Sequence, residues 1–188
     1  SLNSQDFSTP HFRFEVVLVS NLKNKKLSKK ITKITPNYEF PIQFVETSKV
    51  GANHARNVGV AHAKGEILQF VDDDCIVDDP QFLQKIYMAH IENPTISGYG
   101  GKYNLPQKSN MASTSYHINC DIWMDSGILK NSIPPRLVGG NMSFKSNIFK
   151  DRLKFSEELI FGGTETEFIQ RACREGLEIK FLPNTEII

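Results

Sequence analysis

The chain has 188 residues, enough for one domain of ordinary size with a real core. It carries 22 Lys and Arg against 21 Asp and Glu, so no overall basic excess points to nucleic acid as a partner. No run approaches the roughly 20 apolar residues of a spanning helix, and nothing at the start reads as a signal peptide. Cys75, Cys120 and Cys173 are widely spaced, without a zinc or disulfide pattern, which suits a reducing compartment. The expected location is the cytoplasm, or the periphery of the inner face of a membrane.

Residues 14–19 form a nearly continuous β-branched apolar run, the pattern of a strand buried on both faces. Residues 22–35 are Lys-rich with Leu27, Ile31 and Ile34 at helical spacing, and this densest basic run reads as the exposed face of a helix. A second strand follows at 42–47. The next helix, 52–63, carries Ala52, Ala55, Gly59 and Ala63 on one face, small enough to lie close on a sheet. Residues 66–71 give a third strand. Asp79 as N-cap and Pro80 at the first helical position open another helix, with Phe82, Ile86 and Ala89 inward.

Residues 95–102 supply a further strand. Over 103–136 the periodicity fades, and such an irregular stretch is usually functional. Residues 137–144 resume as turn plus strand, 165–175 as a helix stopped by Gly176, and 178–182 as a closing strand. The alternation predicts a three-layer α/β/α domain around a mostly parallel sheet, with ligands beyond the carboxyl ends of the strands.

Five aspartates fall within the eight residues 72–79, directly behind an apolar strand. Capping accounts for at least one of Asp78 and Asp79. Asp72, Asp73 and Asp74 end the strand itself. Carboxylates crowded there repel unless a cation sits between them, and Mg²⁺ or Mn²⁺ takes one or two carboxylates plus substrate phosphates. Strand alternation sends Asp72 and Asp74 the same way and Asp73 the other. Alone, Asp-x-Asp is more often a polar turn than a metal site. Thr164 and Glu167 form a capping box, whereas Glu165 projects from the first helical turn after Gly162-Gly163.

Several blocks in order, Gly51-Ala-Asn-His-Ala-Arg-Asn-Val-Gly59, Ala63-Lys-Gly-Glu-Ile-Leu-Gln-Phe-Val-Asp-Asp-Asp74, Gly139-Gly-Asn-Met-Ser-Phe-Lys145, Phe155-Ser-Glu-Glu-Leu159 and Gly162-Gly-Thr-Glu-Thr-Glu-Phe-Ile-Gln-Arg171, resemble the family 2 glycosyltransferases of the GT-A fold. The resemblance spans residues 14–184. It implies an inverting, metal-assisted transfer of a sugar from a nucleotide-sugar, usually a UDP-sugar, to a hydroxyl of a glycan or other acceptor. It assigns Asp74 to Mn²⁺ or Mg²⁺ with Asp72 beside it, and Asp72, Asp73 and Arg56 to the nucleotide-sugar. Glu165 takes the general-base position, where relatives have the Asp of a Glu-Asp pair. Gly140 and Asn141 fall near the acceptor side, and residues 103–136 form a variable acceptor-side segment that carries acceptor specificity. Trp123 suits stacking on a sugar, or local core.

The chain departs from the family pattern in three places. It opens without the usual first strand, which reads as an N-terminally incomplete single domain over 1–188. The next strand ends in Val19-Ser20-Asn21 rather than in acids, and Thr164 replaces a glutamate. These departures admit a second reading, a catalytically inactive interaction module on the same fold. A metal-dependent phosphohydrolase is a third, without support from the Gly-Asn and Gly-Gly-Thr-Glu blocks.

Overall fold

A computed structural model describes residues 2–6, 13–104, 109–129, 135–151, 153–160 and 162–188. A single 3-10 turn, Leu2–Ser4, precedes β1 (Val16–Ser20), α1 (Lys25–Ile34), β2 (Ile42–Glu46), α2 (Ala52–His62), β3 (Ile67–Phe70) and α3 (Phe82–Glu92). Then come β4 (Ile96–Tyr103), α4 (Met111–Leu129), β5 (Met142–Lys145), the short α5 (Ile148–Asp151), α6 (Thr164–Arg174) and β6 (Glu178–Ile187).

β1 and β2 pair in parallel, and β1 is half-buried along its length rather than buried on both faces. The other four strands form a sheet in the order β3-β5-β4-β6. β5 runs antiparallel to β3 and to β4, whereas β4 and β6 are parallel. The α/β class holds as expected, and β3, β4 and β6 run in one direction with β5 alone reversed among them. The reason is connectivity: after α4 the chain returns through 137–144 and slots a reversed strand between two earlier neighbours.

Local chemistry sets the start of α1. Asn24 Oδ1 accepts from the backbone N of Lys26 at 3.0 Å and of Leu27 at 3.2 Å, a side-chain N-cap for α1. α3 begins later than the sequence suggests. Asp79 and Pro80 form the turn before it, where Asp79 Oδ1 accepts from Gln81 N at 2.9 Å and Oδ2 from Lys85 Nζ at 2.6 Å. Gln5 braces this turn, giving its amide to Asp79 O and receiving Leu83 N. α6 starts on Gly163, left-handed at φ 63°, without a side-chain cap. The expected capping box is therefore absent: Thr164 is already helical, and Glu167 pairs with Arg171 one turn on.

The largest change from expectation is α4, a 19-residue helix where the pattern predicted irregular chain. Met124 is buried, but Met111, Tyr116, Ile118 and Ile122 are exposed, so apolar residues sit on several faces and leave no stripe to read. The parts of the expected variable segment at 105–108 and 130–134 lie outside the described residues.

The main core packs Phe144, Phe149, Phe155 and Phe168 between the four-stranded sheet and α6. Phe168 stacks on Phe155 at 4.2 Å and on Phe149 at 5.6 Å between ring centroids. β4 meets these rings closely. A Cβ on Gly98 would fall 2.3 Å from Phe144, and one on Gly101 would fall 1.9 Å from Thr185 O, so both positions exclude a side chain. Among the described residues no helix is long and apolar enough to cross a membrane.

Candidate active site

β3 ends at Phe70, and the chain turns at once: Cys75 N donates to Asp72 O at 3.2 Å. Because the aspartates lie in this turn, strand alternation does not set their directions, and Asp72 reaches back toward Arg56 and Gly140. Its Oδ1 accepts from Arg56 Nη2 at 3.4 Å. Burial pushes the Asp72 carboxyl above its usual range, Arg56 opposes this, and Asp74 and Asp73 add repulsion in the same direction as burial.

Arg56 is the hub. Its side chain is 11% exposed, lies over the Phe155 ring at 5.7 Å, and projects from the middle of α2. Nη1 donates to Asn53 Oδ1 at 3.3 Å and to Thr164 Oγ1 at 3.1 Å. Thr164 Oγ1 in turn donates to Glu165 Oε2 at 2.8 Å. A continuous chain thus links Asp72, Arg56, Thr164 and Glu165 across two walls of one cleft.

The floor is Gly139-Gly140. A Cβ on Gly139 would lie 2.7 Å from Arg56 Nη2 and 3.3 Å from Glu165 Oε2. One on Gly140 would lie 2.5 Å from the Tyr103 hydroxyl and 2.8 Å from Asp72 Oδ2. Gly140 N donates to the Tyr103 hydroxyl at 3.0 Å, and burial followed by the Asp72 charge pushes that phenol upward in pKa. Tyr103 was invisible to sequence reasoning, because only the β4–β5 pairing brings it here.

Asn141 is 1% exposed and does not present its side chain to the cleft. Its Nδ2 donates to Lys102 O at 3.0 Å and Thr185 O at 2.8 Å, and its Oδ1 accepts from Gln69. It braces the glycine floor from below. Trp123 on α4 is 37% exposed, but the Arg136 guanidinium covers a ring face at 5.6 Å and holds Trp123 O at 2.8 Å. On the same helix, Tyr116 is 67% exposed. Its phenol is raised first by a hydrogen bond with Cys120, and to a lesser degree by burial and by the charges of Glu165 and Asp74.

The loop before α6 is clasped to α2. Asn57 exchanges two hydrogen bonds with the Phe155 backbone, each 2.9 Å, and Asn53 Nδ2 donates to Ser156 O at 2.7 Å. Glu157 meets Lys49, Asn57 and His54, contacts that hold its carboxyl down at about 2. His54 Nε2 also lies 2.8 Å from Thr47 Oγ1. The Asn and His of the helix motif therefore position the segment that leads to Glu165.

Among the described residues no three His, Cys, Asp or Glu side chains converge as a metal cage. A hard divalent cation needs only one or two carboxylates beside substrate oxygens, a number that Asp72 and Asp74 can supply, and the repulsion that Asp74 exerts on Asp72 is what such a cation relieves.

The sequence model of the family described as glycosyl transferase family 2 matches residues 1–153, stopping short of Glu165. A curated relative, glycosyltransferase AglE of Haloferax volcanii, is 24% identical over 92% of this chain and 55% of its own length. The mannosyltransferase PcManGT of Pyrobaculum calidifontis, solved with GDP-Man and Mn²⁺, superposes with a TM-score of 0.72 at 15% identity, covering 98% of this chain and 49% of that one. TarS 1-349 of S. aureus gives 0.70 at 19% identity, over 99% and 53%. The chain spans about half the length of these proteins, and the structural likeness establishes the GT-A fold. With four-fifths of its length matched by the family model, the chain belongs to glycosyl transferase family 2.

Proposed function

We propose that the chain is the catalytic domain of an inverting, metal-assisted glycosyltransferase that moves a sugar from a nucleotide-sugar to an acceptor hydroxyl. The observation that carries this reading is the Asp72–Arg56–Thr164–Glu165 chain, which sets an acidic cluster and a separate carboxylate on facing sides of a glycine-floored cleft.

Asp74 and Asp72 would hold Mn²⁺ or Mg²⁺, whose charge stabilises the leaving diphosphate by several kcal/mol. Asp73 and Arg56 complete the donor side, and Arg56 also opposes the upward push that burial exerts on the Asp72 carboxyl. Glu165 accepts the acceptor's proton as the hydroxyl oxygen bonds to the anomeric carbon. The bond from that carbon to the diphosphate oxygen breaks, and the nucleoside diphosphate leaves with the electron pair. Thr164 occupies one oxygen of Glu165 and leaves the other free for the proton. Threonine at this position thus keeps a partner for the base, which favours catalysis over the inactive-module reading.

The acceptor side falls to Gly140 and the exposed Tyr116 turn of α4, with Trp123 further along the helix. A UDP-sugar is the family's usual donor. The neighbour solved with GDP-Man keeps guanine nucleotides in the screen.

The test is nucleotide release from a panel of UDP- and GDP-sugars with Mn²⁺, for the wild-type chain and Glu165→Gln. Glu165→Gln is expected to lower turnover by about 10²–10⁴-fold while donor binding persists. Unchanged turnover removes Glu165 from the base role. Donor binding without turnover in either protein supports the inactive module.

A further inference from the structure

We propose that α1 is a docking strip for an anionic phospholipid bilayer. Residues 21–38 contain six lysines, Lys23, Lys25, Lys26, Lys29, Lys30 and Lys33, and no acid or arginine. With the whole chain near neutrality, these six leave a five-charge acidic excess elsewhere, so positive charge is concentrated on this one element.

The helix arranges it further. At 100° per residue, the five lysines within α1 fall in an arc of about 140°, over a length of about 12 Å. Leu27, Ile31 and Ile34 lie opposite and are half-buried, while all six lysines are exposed. Among the described residues none of the six joins an ion pair. Glu46, the acid facing the helix start, accepts Asn24 N at 2.8 Å, and Glu39 follows only after the helix has ended. The Asn24 cap fixes the helix in advance, so no ordering is needed on contact.

A diffuse anionic plane is the partner that such a strip fits. Lysines act as point charges and need no directional match. Leu22, 64% exposed, stands beside the basic end as an apolar contact for the interface. Nucleic-acid sites add arginine forks or aromatic platforms, and this segment has neither until Tyr38. Clusters of four to eight basic residues on an amphipathic helix are the usual signature of anionic-lipid binding.

Co-sedimentation with phosphatidylcholine vesicles, with and without phosphatidylglycerol, tests this without any donor, so it stands or falls apart from the transferase reading. The wild-type chain should bind only the anionic vesicles, and release at high salt. Replacing Lys25, Lys26, Lys29 and Lys30 by Gln, with the helix checked by circular dichroism, should cut partitioning on the order of several hundredfold, about fivefold per lysine. Replacing the exposed Lys64, Lys150 and Lys154 instead should leave at least half of the binding. Equal binding to neutral vesicles, retained binding by the four-lysine variant, or tighter binding to duplex DNA than to anionic vesicles at the same salt each overturn the proposal.

Discussion

His90 makes the most quantitative prediction. It lies on α3, 2% exposed, with Nε2 2.9 Å from Ser143 Oγ on β5 and its ring edge-on to Tyr99 at 4.9 Å. Its Nδ1 is buried without a hydrogen-bond partner. The neutral tautomer with the proton on Nε2 satisfies the only available acceptor and leaves a bare Nδ1. Protonation would create a buried N–H with no acceptor, beside Lys145. Burial first, and Lys145 second, accordingly hold the imidazole down at about 4 against an ordinary 6.5. The unfolded chain takes up this proton first as pH falls, so His90 subtracts stability progressively from about 6.5 down to 4. Each unit is worth about 1.4 kcal/mol, giving a loss of about 2 kcal/mol by pH 5 and about 3 kcal/mol by pH 4. The depressed carboxylates Asp79, Glu157 and Glu167 weaken the fold mainly as pH falls below about 4.5, so from 6.5 to 5 the difference between the wild-type chain and a variant without the imidazole reports His90. Urea unfolding of the wild-type chain and His90→Gln across that window is the assay. Glutamine can keep a donor for Ser143 but does not titrate, so the variant should lose less stability than the wild type across that window, by about 2 kcal/mol at pH 5. Identical pH slopes for the two proteins refute the reasoning.

Further expectations concern the cleft and its clasp. Gly140→Ala pushes a methyl at the Tyr103 hydroxyl and Asp72 Oδ2, both ends of movable side chains. It should cost only about 1–3 kcal/mol in unfolding experiments, yet weaken Mn²⁺-dependent nucleotide binding by about tenfold or more because Asp72 is displaced. Asn57→Ala strips partners from the Phe155 backbone and Glu157. A loss of about 1–3 kcal/mol is expected from the groups left unpaired, with lower turnover but near-normal donor binding, since the clasp serves the Glu165 side.

Much of the fold was legible because local signals and burial agree. The Leu27, Ile31 and Ile34 stripe, the Phe82, Ile86 and Ala89 face and the Gly176 stop (φ 85°) all report on contacts within one element. α4 was not legible because its apolar residues point several ways. The antiparallel insertion of β5 depends on pairings with partners more than 40 residues away, which no periodicity records. The same distance effect governs the site. Asp72 and Arg56 were readable as residues, but not the hydroxyl of Thr164 between Arg56 and Glu165, nor the phenol of Tyr103 beneath Gly140. Asn141 looked like a cleft residue because it adjoins the glycines, whereas its partners Lys102 and Thr185 turn it into a brace.

The Asp72–Asp74 turn is expected to bind a nucleoside diphosphate through a divalent cation. Calorimetric titration of UDP, and then GDP, into the chain with and without Mn²⁺ tests it most directly, repeated with Asp74→Asn. Binding should require the metal and be lost in the variant. Metal-independent binding, or equal affinity for Asp74→Asn, would contradict it.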